Sequence, residues 1–130
     1  MTSIAYVDAS ALVKLVLAEP ESVNMVRWYV ESERVSTSLV GMIETRRAVA
    51  RHPHDPIDLE RVLSGIEVVG INARLADRAA GIVPATVRTL DAIHLATALG
   101  MGSTLDAFVT YDDRLAEAAR ALGLPVVSPA

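Results

Sequence analysis

Four acidic side chains stand at positions where carboxylates could act together. Asp8 and Asp112 each follow a short segment that predicts a β-strand. Glu44 and Asp91 fall within segments of helical periodicity. If the four converge, carboxylates about 4 Å apart repel by up to ~4 kcal/mol per pair at an effective dielectric of about 20, so the cluster must take up a proton or a cation. An all-oxygen ligand set favours Mg²⁺, with Mn²⁺ as a substitute, over Zn²⁺, so these residue types predict an acidic pocket for a hard divalent cation.

These side chains need a framework that gathers them, and the hydrophobic pattern predicts alternating strands and helices. Strands are predicted at 4–7, around 34–38, and at 66–71, 107–110 and 125–127. Helices are predicted at 11–18, 20–33, around Glu44, and at 57–65, 73–82, 89–99 and 113–122. Such alternation indicates a three-layer α/β/α fold, in which helices cover both faces of a central, mostly parallel sheet. Asp8 and Asp112 then lie at the same edge of the sheet, where open parallel sheets bind ligands.

Each of these acidic residues also has a structural interpretation. An Asp at a strand-to-helix turn commonly caps the helix, and spacing alone favours that role for Asp8 and for Asp112. Asp91 shares a largely apolar helix face with His94, where an ionised carboxylate is costly unless it meets a cation or hydrogen-bond donors. The alternatives are a favourable position in the first turn of the helix, or a pair between Asp91 and His94. We interpret His94 as a hydrogen-bonding neighbour of Asp91 rather than as a metal ligand.

Glu44 shares its helix face with Arg47 and Arg51, and the pattern alone favours a solvated Glu–Arg face there. The same two arginines could hold the phosphates of a polyanionic substrate, and Lys14 in the first helix could add to them. Arg46 falls instead on the apolar face of the Glu44 helix, which indicates either a buried ion pair or a groove that faces a partner.

The composition limits the classes of protein to which the chain can belong. Its length predicts a single domain, 1–130, and the absence of cysteine excludes a thiol nucleophile and a disulfide framework. A formal charge of −4 argues against a protein that coats nucleic acid by bulk electrostatics alone, so a polyanionic substrate would need help from a bound cation. The start lacks a basic segment ahead of an apolar one, and no stretch is long enough to span a bilayer. We therefore expect a cytoplasmic protein that does not enter membranes.

Four motifs resemble, in order and spacing, those of the PIN-domain ribonucleases of the VapC toxin group. They are YVDASALVK at 6–14, the helix around Glu44, LDAIHLATA at 90–98 and FVTYDDRL at 108–115. Each motif is short, but the four occur in sequence with an acidic residue in each, and together they span nearly the whole chain. The resemblance implies a PIN-like version of the three-layer fold.

The resemblance also implies a chemistry. The reaction is Mg²⁺-dependent endonucleolytic cleavage of RNA, held in check by a small antitoxin protein made with the toxin. A metal lowers the pKa of bound water so that hydroxide attacks the phosphorus in line, and no protein nucleophile is needed. Asp113 could replace or assist its neighbour Asp112. The implied metal-binding cluster is Asp8, Glu44, Asp91 and Asp112, with Ser10 and Thr110 hydrogen-bonded around it.

Partners follow from the same observations. RNA is expected along Arg47 and Arg51, with Lys14 as a weaker candidate. The predicted second helix is apolar nearly all round, with Trp28 and Tyr29 opposite a row of valines, so two layers must cover it. The second layer could be the domain itself, a symmetric mate or an antitoxin helix, and we favour a partner surface over core packing. A homodimer is expected as well.

Two other functions stay open on the sequence alone. A phosphoacceptor receiver domain has a similar length, alternating elements and an acidic pocket, but the strand predicted at 66–71 ends without an Asp to accept phosphate. A PIN domain that only binds could keep the four acidic residues for stability or regulation. Nothing in the sequence demands that the chain be inactive.

Overall fold

Within the described residues, 3–130, five parallel strands form a central sheet and seven α-helices accompany it. Met1 and Thr2, on which part of the expectation about the amino terminus rests, lie outside the residues that this computed structural model describes. The strands are β1 Ile4–Val7, β2 Val35–Ser38, β3 Glu67–Val69, β4 Leu105–Val109 and β5 Val126–Val127. The helices are α1 Ala9–Val13, α2 Ser22–Glu31, α3 Leu39–Ala50, α4 Pro56–Ser64, α5 Ala73–Ala80, α6 Thr89–Leu99 and α7 Asp113–Ala121. The strand order is β3-β2-β1-β4-β5, which confirms the predicted α/β class with a parallel sheet.

Helices cover both faces of the sheet, as the alternation predicts. Val7 of β1 lies in a buried cluster with Leu12 of α1 and Met25 of α2. Tyr6, the preceding residue, points to the opposite face because side chains alternate along a strand. There it packs with Phe108 of β4 and with apolar residues of α6 and α7. The two clusters make the fold a three-layer α/β/α arrangement with β1 at its centre.

Three neighbouring strands deliver the candidate residues to one edge of the sheet. Asp8 follows β1 and Asp112 lies between β4 and α7. Ser38 ends β2, and its Oγ accepts a hydrogen bond from the backbone N of Gly41 at 3.0 Å, which starts α3 and so orients Glu44. The carboxyl ends of adjacent parallel strands meet at one edge, so these three connections bring distant parts of the sequence together.

Gly41 allows α3 to lie unusually close to β2 and α6. A β-carbon at this position would overlap Oγ1 of Thr37 and lie 3.4 Å from the Cε1 atom of His94. The absence of a side chain therefore lets the first turn of α3 press against both residues. Glu44 follows three residues later on this helix, which places its carboxylate within reach of the same imidazole.

The first two helices differ most in length from the prediction. The first helix ends at Val13 instead of continuing over 11–18, and 14–17 form turns. Pro20 disfavours helical backbone at Glu19, the residue before it, which separates the two helices, and α2 begins at Ser22. None of the described helices is both long enough and apolar enough to cross a membrane.

The aromatic side of α2 belongs to the core. Met25 is fully buried, and Trp28 and Tyr29 pack partly buried against the same cluster. Val23 and Val30, on the other side, are 70% and 74% exposed. The sequence pattern did not reveal which side faces the core, and the structure leaves the valine row facing solvent.

Candidate active site

Four carboxylates and two guanidinium groups surround one cavity of about 670 Å³ at the edge of the sheet. The residues that contribute them are Glu44 of α3, Arg88 and Asp91 at the start of α6, and Asp112, Asp113 and Arg114 at the start of α7. Asp8 lies deeper and is only 4% exposed. The structure therefore brings three of the four predicted metal ligands to one opening and buries the fourth at the end of β1.

Asp8 is held by three hydrogen-bond donors. Its Oδ1 accepts from Ser10 Oγ at 2.7 Å and from the backbone N of Ala11 at 3.1 Å, and its Oδ2 accepts from Thr110 Oγ1 at 2.6 Å. The bond to Ala11 is the helix cap that the spacing favoured. Burial raises the pKa of the Asp8 carboxyl, while the donors from Thr110 and Ser10 oppose that rise. Asp8 is thus a fixed, nearly dehydrated carboxyl group.

Thr110 connects Asp8 to Asp112. The Oγ1 atom that donates to Asp8 also accepts a hydrogen bond from the backbone N of Asp112 at 3.0 Å. Asp112 caps α7 through Oδ1, which accepts from the backbone N atoms of Arg114 and Leu115 at 3.0 and 3.1 Å. Its second carboxylate oxygen accepts no hydrogen bond from residues 3–130, so Asp112 can cap a helix and still offer an oxygen to a cation.

Asp91 has carboxylate neighbours instead of donors. It lies in the first turn of α6, and its side chain accepts no hydrogen bond from the part of the chain that the structure describes. Burial raises the pKa of the Asp91 carboxyl first, and the negative charges of Asp112 and Glu44 raise it further. The positive charge of Arg88 opposes that rise in the pKa. This mutual repulsion is the electrostatic signature expected of an acidic cluster that gathers around a cation.

His94 does not pair with Asp91, and the interpretation that it is a hydrogen-bonding neighbour of Asp91 is wrong. Its Nε2 lies 2.7 Å from Oε1 of Glu44, and its Nδ1 lies 2.5 Å from the hydroxyl of Tyr6. Both ring nitrogens are therefore engaged by other residues. Sequence spacing could relate His94 to the next turn of its own helix, but not to Glu44, which precedes it by 50 residues.

The donor set fits a hard divalent cation. Unengaged carboxylate oxygens remain on Glu44, Asp91 and Asp112, all of which line one cavity, and the charges of Glu44 and Asp112 act on Asp91. Within residues 3–130, no three acidic or imidazole side chains form a ready-made cluster close enough to ligate one ion. Such an open arrangement suits Mg²⁺, which keeps several waters and takes one or two carboxylates directly, more than it suits an ion that needs a closed protein cage.

A basic groove continues from the acidic cavity. It measures about 860 Å³ and shares Glu44 and Leu90 with that cavity. Arg47 and Arg51 line it, and neither forms an ion pair with another described residue. Arg46 also borders the groove, but its guanidinium pairs with Glu60 of α4 at 2.7 Å on the surface. The ion pair of Arg46 is therefore on the surface, whereas one interpretation of the sequence required it to be buried. Because Glu60 neutralises it, Arg46 is not a free cation of the groove.

Lys14 does not belong to this groove, and its assignment to RNA binding is wrong. The residue is 8% exposed, with Nζ 3.1 Å from Glu19 and 2.8 Å from Glu21. Nζ also lies 4.7 Å from the ring centre of Tyr111. Burial lowers the pKa of the Lys14 ammonium, but hydrogen bonds to Glu21 and Glu19 outweigh that effect and raise it overall. Two glutamates neutralise this charge, which therefore ties the turn after α1 to the start of α2.

Sequence reasoning missed three residues of the site. Arg88 and Arg114 flank the acidic cavity, each within three residues of a predicted acid, and that nearness was the available signal. Tyr6 was read as part of a buried strand, and its hydroxyl contact with His94 crosses 88 residues of sequence. Contacts of this kind depend on which face of β1 meets α6, and local spacing does not reveal that.

Known proteins similar to this chain were found in sequence and in structure. The family model of the PIN domain matches residues 5–121. Among curated proteins of Mycobacterium tuberculosis, Ribonuclease VapC47 is 40% identical over 131 residues, and Ribonuclease VapC46 is 39% identical over 126 residues. Each alignment covers 95% of this chain and 96% of the relative.

Solved structures share the fold at lower sequence identity. Mycobacterium tuberculosis VapC20, described as a toxin that cleaves the sarcin-ricin loop, superposes with a TM-score of 0.74 at 19% identity, covering 96% of this chain and 99% of that one. VapBC2 from Rickettsia felis, solved with a DNA fragment from its promoter, gives a TM-score of 0.72 at 13% identity, with 98% and 99% covered. At these identities the likeness establishes the three-layer architecture alone.

Proposed function

Because the chain belongs to the PIN-domain family, alongside ribonucleases named VapC, we propose that it is a metal-dependent endoribonuclease and the toxin of a toxin–antitoxin pair. The observation that carries the proposal is the cavity that Glu44, Asp91 and Asp112 line with unengaged oxygens, where Asp91 faces the negative charges of the other two. Those oxygens would hold Mg²⁺, or Mn²⁺ in its place. Asp8, which is buried and hydrogen-bonded to Thr110, would be the fourth acidic residue of the set. Asp113, which lines the same cavity, is the alternative to Asp112.

The hydrogen bonds around the acidic residues argue against a protein nucleophile. A bound divalent cation would supply an acidified water and charge compensation at the phosphoryl oxygens. Ser10 is not free to attack, because its Oγ donates to Asp8 and accepts from the backbone N of Tyr111 at 2.9 Å. Ser10 and Thr110 instead hold Asp8 in one orientation, so the carboxylates keep their positions when a substrate approaches.

RNA would lie across both the acidic cavity and the basic groove. Arg47 and Arg51 line the groove with guanidinium groups that pair with no acid among residues 3–130, and Arg88 and Arg114 stand at the cavity itself. Guanidinium groups bind phosphate oxygens through paired N–H donors. Four such groups offset the repulsion that the acidic residues and the overall charge of −4 would exert on a polyanion.

Removing the groove arginines should weaken RNA binding and leave the chemical step intact. For Arg47→Ala with Arg51→Ala, we expect a higher KM at unchanged kcat, and a slope of log affinity against log salt reduced by about 1 for each arginine that contacts a phosphate. Cleavage of a labelled RNA at several salt concentrations measures both. Arg120→Ala, which changes an exposed arginine at the end of α7, is the matched control. A fall in kcat alone, or no change in the salt slope, would contradict an RNA path along this groove.

The ribonuclease activity itself is tested by supplying and removing the cation. The purified chain should cut RNA in Mg²⁺ or Mn²⁺ and stop cutting when EDTA is added in excess. A preparation of Asp91→Asn, purified identically, controls for contaminating nucleases. RNA binding without cleavage would favour the binding-only alternative, and equal cleavage in EDTA would exclude the metal-dependent reaction.

The strand order and the family of the chain both exclude the receiver-domain alternative. Doubly wound receiver domains have the strand order 2-1-3-4-5, whereas this sheet has the order 3-2-1-4-5. The PIN family assignment points the same way.

The remaining proposals concern assembly and location. Residues 1–130 would act as one catalytic domain in the cytoplasm, restrained by a cognate antitoxin protein. The VapC names of the curated relatives support the antitoxin, and the exposed valine row of α2 offers apolar surface for a second protein. A homodimer is proposed for the free chain. Its mass in solution, measured by light scattering, tests that proposal, and a monomer at micromolar concentration would refute it.

A further inference from the structure

A chain of three polar side chains runs from the core to the acidic cavity. The hydroxyl of Tyr6 lies 2.5 Å from Nδ1 of His94, and Nε2 of His94 lies 2.7 Å from Oε1 of Glu44. Tyr6 is fully buried, the side chain of His94 is 3% exposed, and that of Glu44 is 34% exposed. We call these residues the Tyr6–His94–Glu44 chain.

The hydrogen bonds of this chain have a defined direction. The backbone N of Ser38 donates to the hydroxyl oxygen of Tyr6 at 3.3 Å, which leaves the phenol proton for Nδ1 of His94. Burial raises the pKa of the Tyr6 phenol, so it keeps that proton. A neutral imidazole that accepts at Nδ1 carries its own proton on Nε2. The proton on Nε2 is therefore donated to Oε1 of Glu44.

The imidazole itself has little freedom to move. Its ring meets that of Tyr6 edge-on with centres 5.7 Å apart, and Tyr6 stacks on Phe108 at 5.4 Å. On another side the ring lies near Gly41, where a β-carbon would stand 3.4 Å from Cε1 of His94. A rigid donor of this kind restricts the carboxylate that it contacts to one orientation.

We propose that His94 is a positioning residue for Glu44, which occupies one carboxylate oxygen through Nε2 so that the other is presented to the divalent cation. Tyr6 acts through His94 by selecting the tautomer that donates to Glu44. This inference rests on the proposed function, because it assigns the chain a role in preparing the cation site. His94 is not a metal ligand in this arrangement, since both of its ring nitrogens are hydrogen-bonded and its side chain is nearly inaccessible.

Binding of Mn²⁺ to the purified chain without RNA tests the positioning role. Titration calorimetry of His94→Leu should show affinity for Mn²⁺ reduced by about tenfold or more, because neighbours that orient a ligand typically contribute that much. His94→Gln can place an amide N–H where Nε2 stands and should recover most of the affinity. Circular dichroism and urea unfolding check that each variant is folded. Equal Mn²⁺ affinity in folded His94→Leu and the parent would overturn the proposal.

The tautomer gives a second readout that needs neither metal nor RNA. Two-bond ¹⁵N–¹H correlation spectra of the metal-free protein should show His94 protonated at Nε2 and unprotonated at Nδ1. Tyr6→Phe removes the phenol proton and should weaken this preference and the Mn²⁺ affinity together. Tyr29→Phe removes a hydroxyl from the cluster on the other face of the sheet and should change neither. A proton on Nδ1 in the parent, or unchanged Mn²⁺ affinity in folded Tyr6→Phe, would contradict the chain as described.

The two proposals fail in different ways. If the parent binds no Mn²⁺ and cuts no RNA, the proposed function is wrong, whatever the tautomer of His94. If the parent binds Mn²⁺ and cuts RNA while folded His94→Leu does both equally well, the ribonuclease assignment stands and the positioning role of His94 is wrong.

Discussion

Replacing Asp91 by Asn is expected to lower the rate of RNA cleavage by about a hundredfold to ten-thousandfold, because a catalytic metal contributes several kcal/mol to the transition state. The carboxylate of Asp91 accepts no hydrogen bond from residues 3–130 and faces two like charges, those of Asp112 and Glu44. Its main partner would be the cation. The amide of Asn has nearly the same shape but no charge, so the fold should be retained.

The same substitution should stabilise the metal-free protein. Asp91→Asn would remove a partly buried charge and its repulsion with Asp112 and Glu44, so the free energy of unfolding in EDTA should rise by about 1 kcal/mol. Single-turnover cleavage and urea unfolding measure the two effects. Asp106→Asn, which changes an exposed aspartate on β4, is the matched control and should change neither. Cleavage by folded Asp91→Asn at the parental rate would refute the acidic metal site.

The metal-free protein should become less stable as the pH rises towards neutrality, and a divalent cation should reverse that loss. The pKa values of Asp8 and Asp91 are both raised in the folded state, chiefly by burial. A carboxyl group with a raised folded pKa favours folding fully below its unfolded pKa of about 4, and that contribution is lost as the pH passes through the folded value. Mg²⁺ or Mn²⁺ at about a hundred times its Kd should then add about 2.7 kcal/mol near neutral pH.

Urea unfolding between mildly acidic and neutral pH, with EDTA or with Mg²⁺, measures this effect. Glu21, Glu60 and Glu67 have pKa values lowered by basic partners, so their contributions are lost in the opposite direction, as the pH falls. The informative quantity is therefore the difference between the parent and the double variant Asp8→Asn with Asp91→Asn. The double variant should have a flatter pH profile and no stabilisation by Mg²⁺. Equal profiles, or equal stabilisation, would show that these two acidic residues do not form the cation site.

Much of the fold could be predicted because it depends on local pattern. The apolar segments and the turn residues between them mark the strands and helices, and alternation then limits the topology to a parallel sheet with covered faces. The position of Asp8 and Asp112 at one edge follows from that topology without any pairwise contact. The early end of α1 was not predicted, because the helical periodicity continues past Val13 and the turns before Pro20 leave no clear mark in the sequence.

The contacts within the site could not be predicted in the same way. The partners of Arg46 and His94 lie on other helices, and helical periodicity assigns a residue to a face without saying what that face meets. Lys14 looked available for RNA because Glu19 and Glu21 fold back over it only after the turn that follows α1.

The bond between Asp8 and Thr110 spans 102 residues of sequence, and it has a consequence for how the protein is made. In a nascent chain that has been synthesised only to a point before β4, β1 lacks one of its neighbouring strands and Asp8 lacks its Oδ2 donor. Asp112 is not yet present in such a chain. A polypeptide that stops before β4 therefore lacks the assembled acidic cavity. The acidic cavity can therefore assemble only after the start of α7 has been synthesised, so fragments that stop before β4 should cut no RNA.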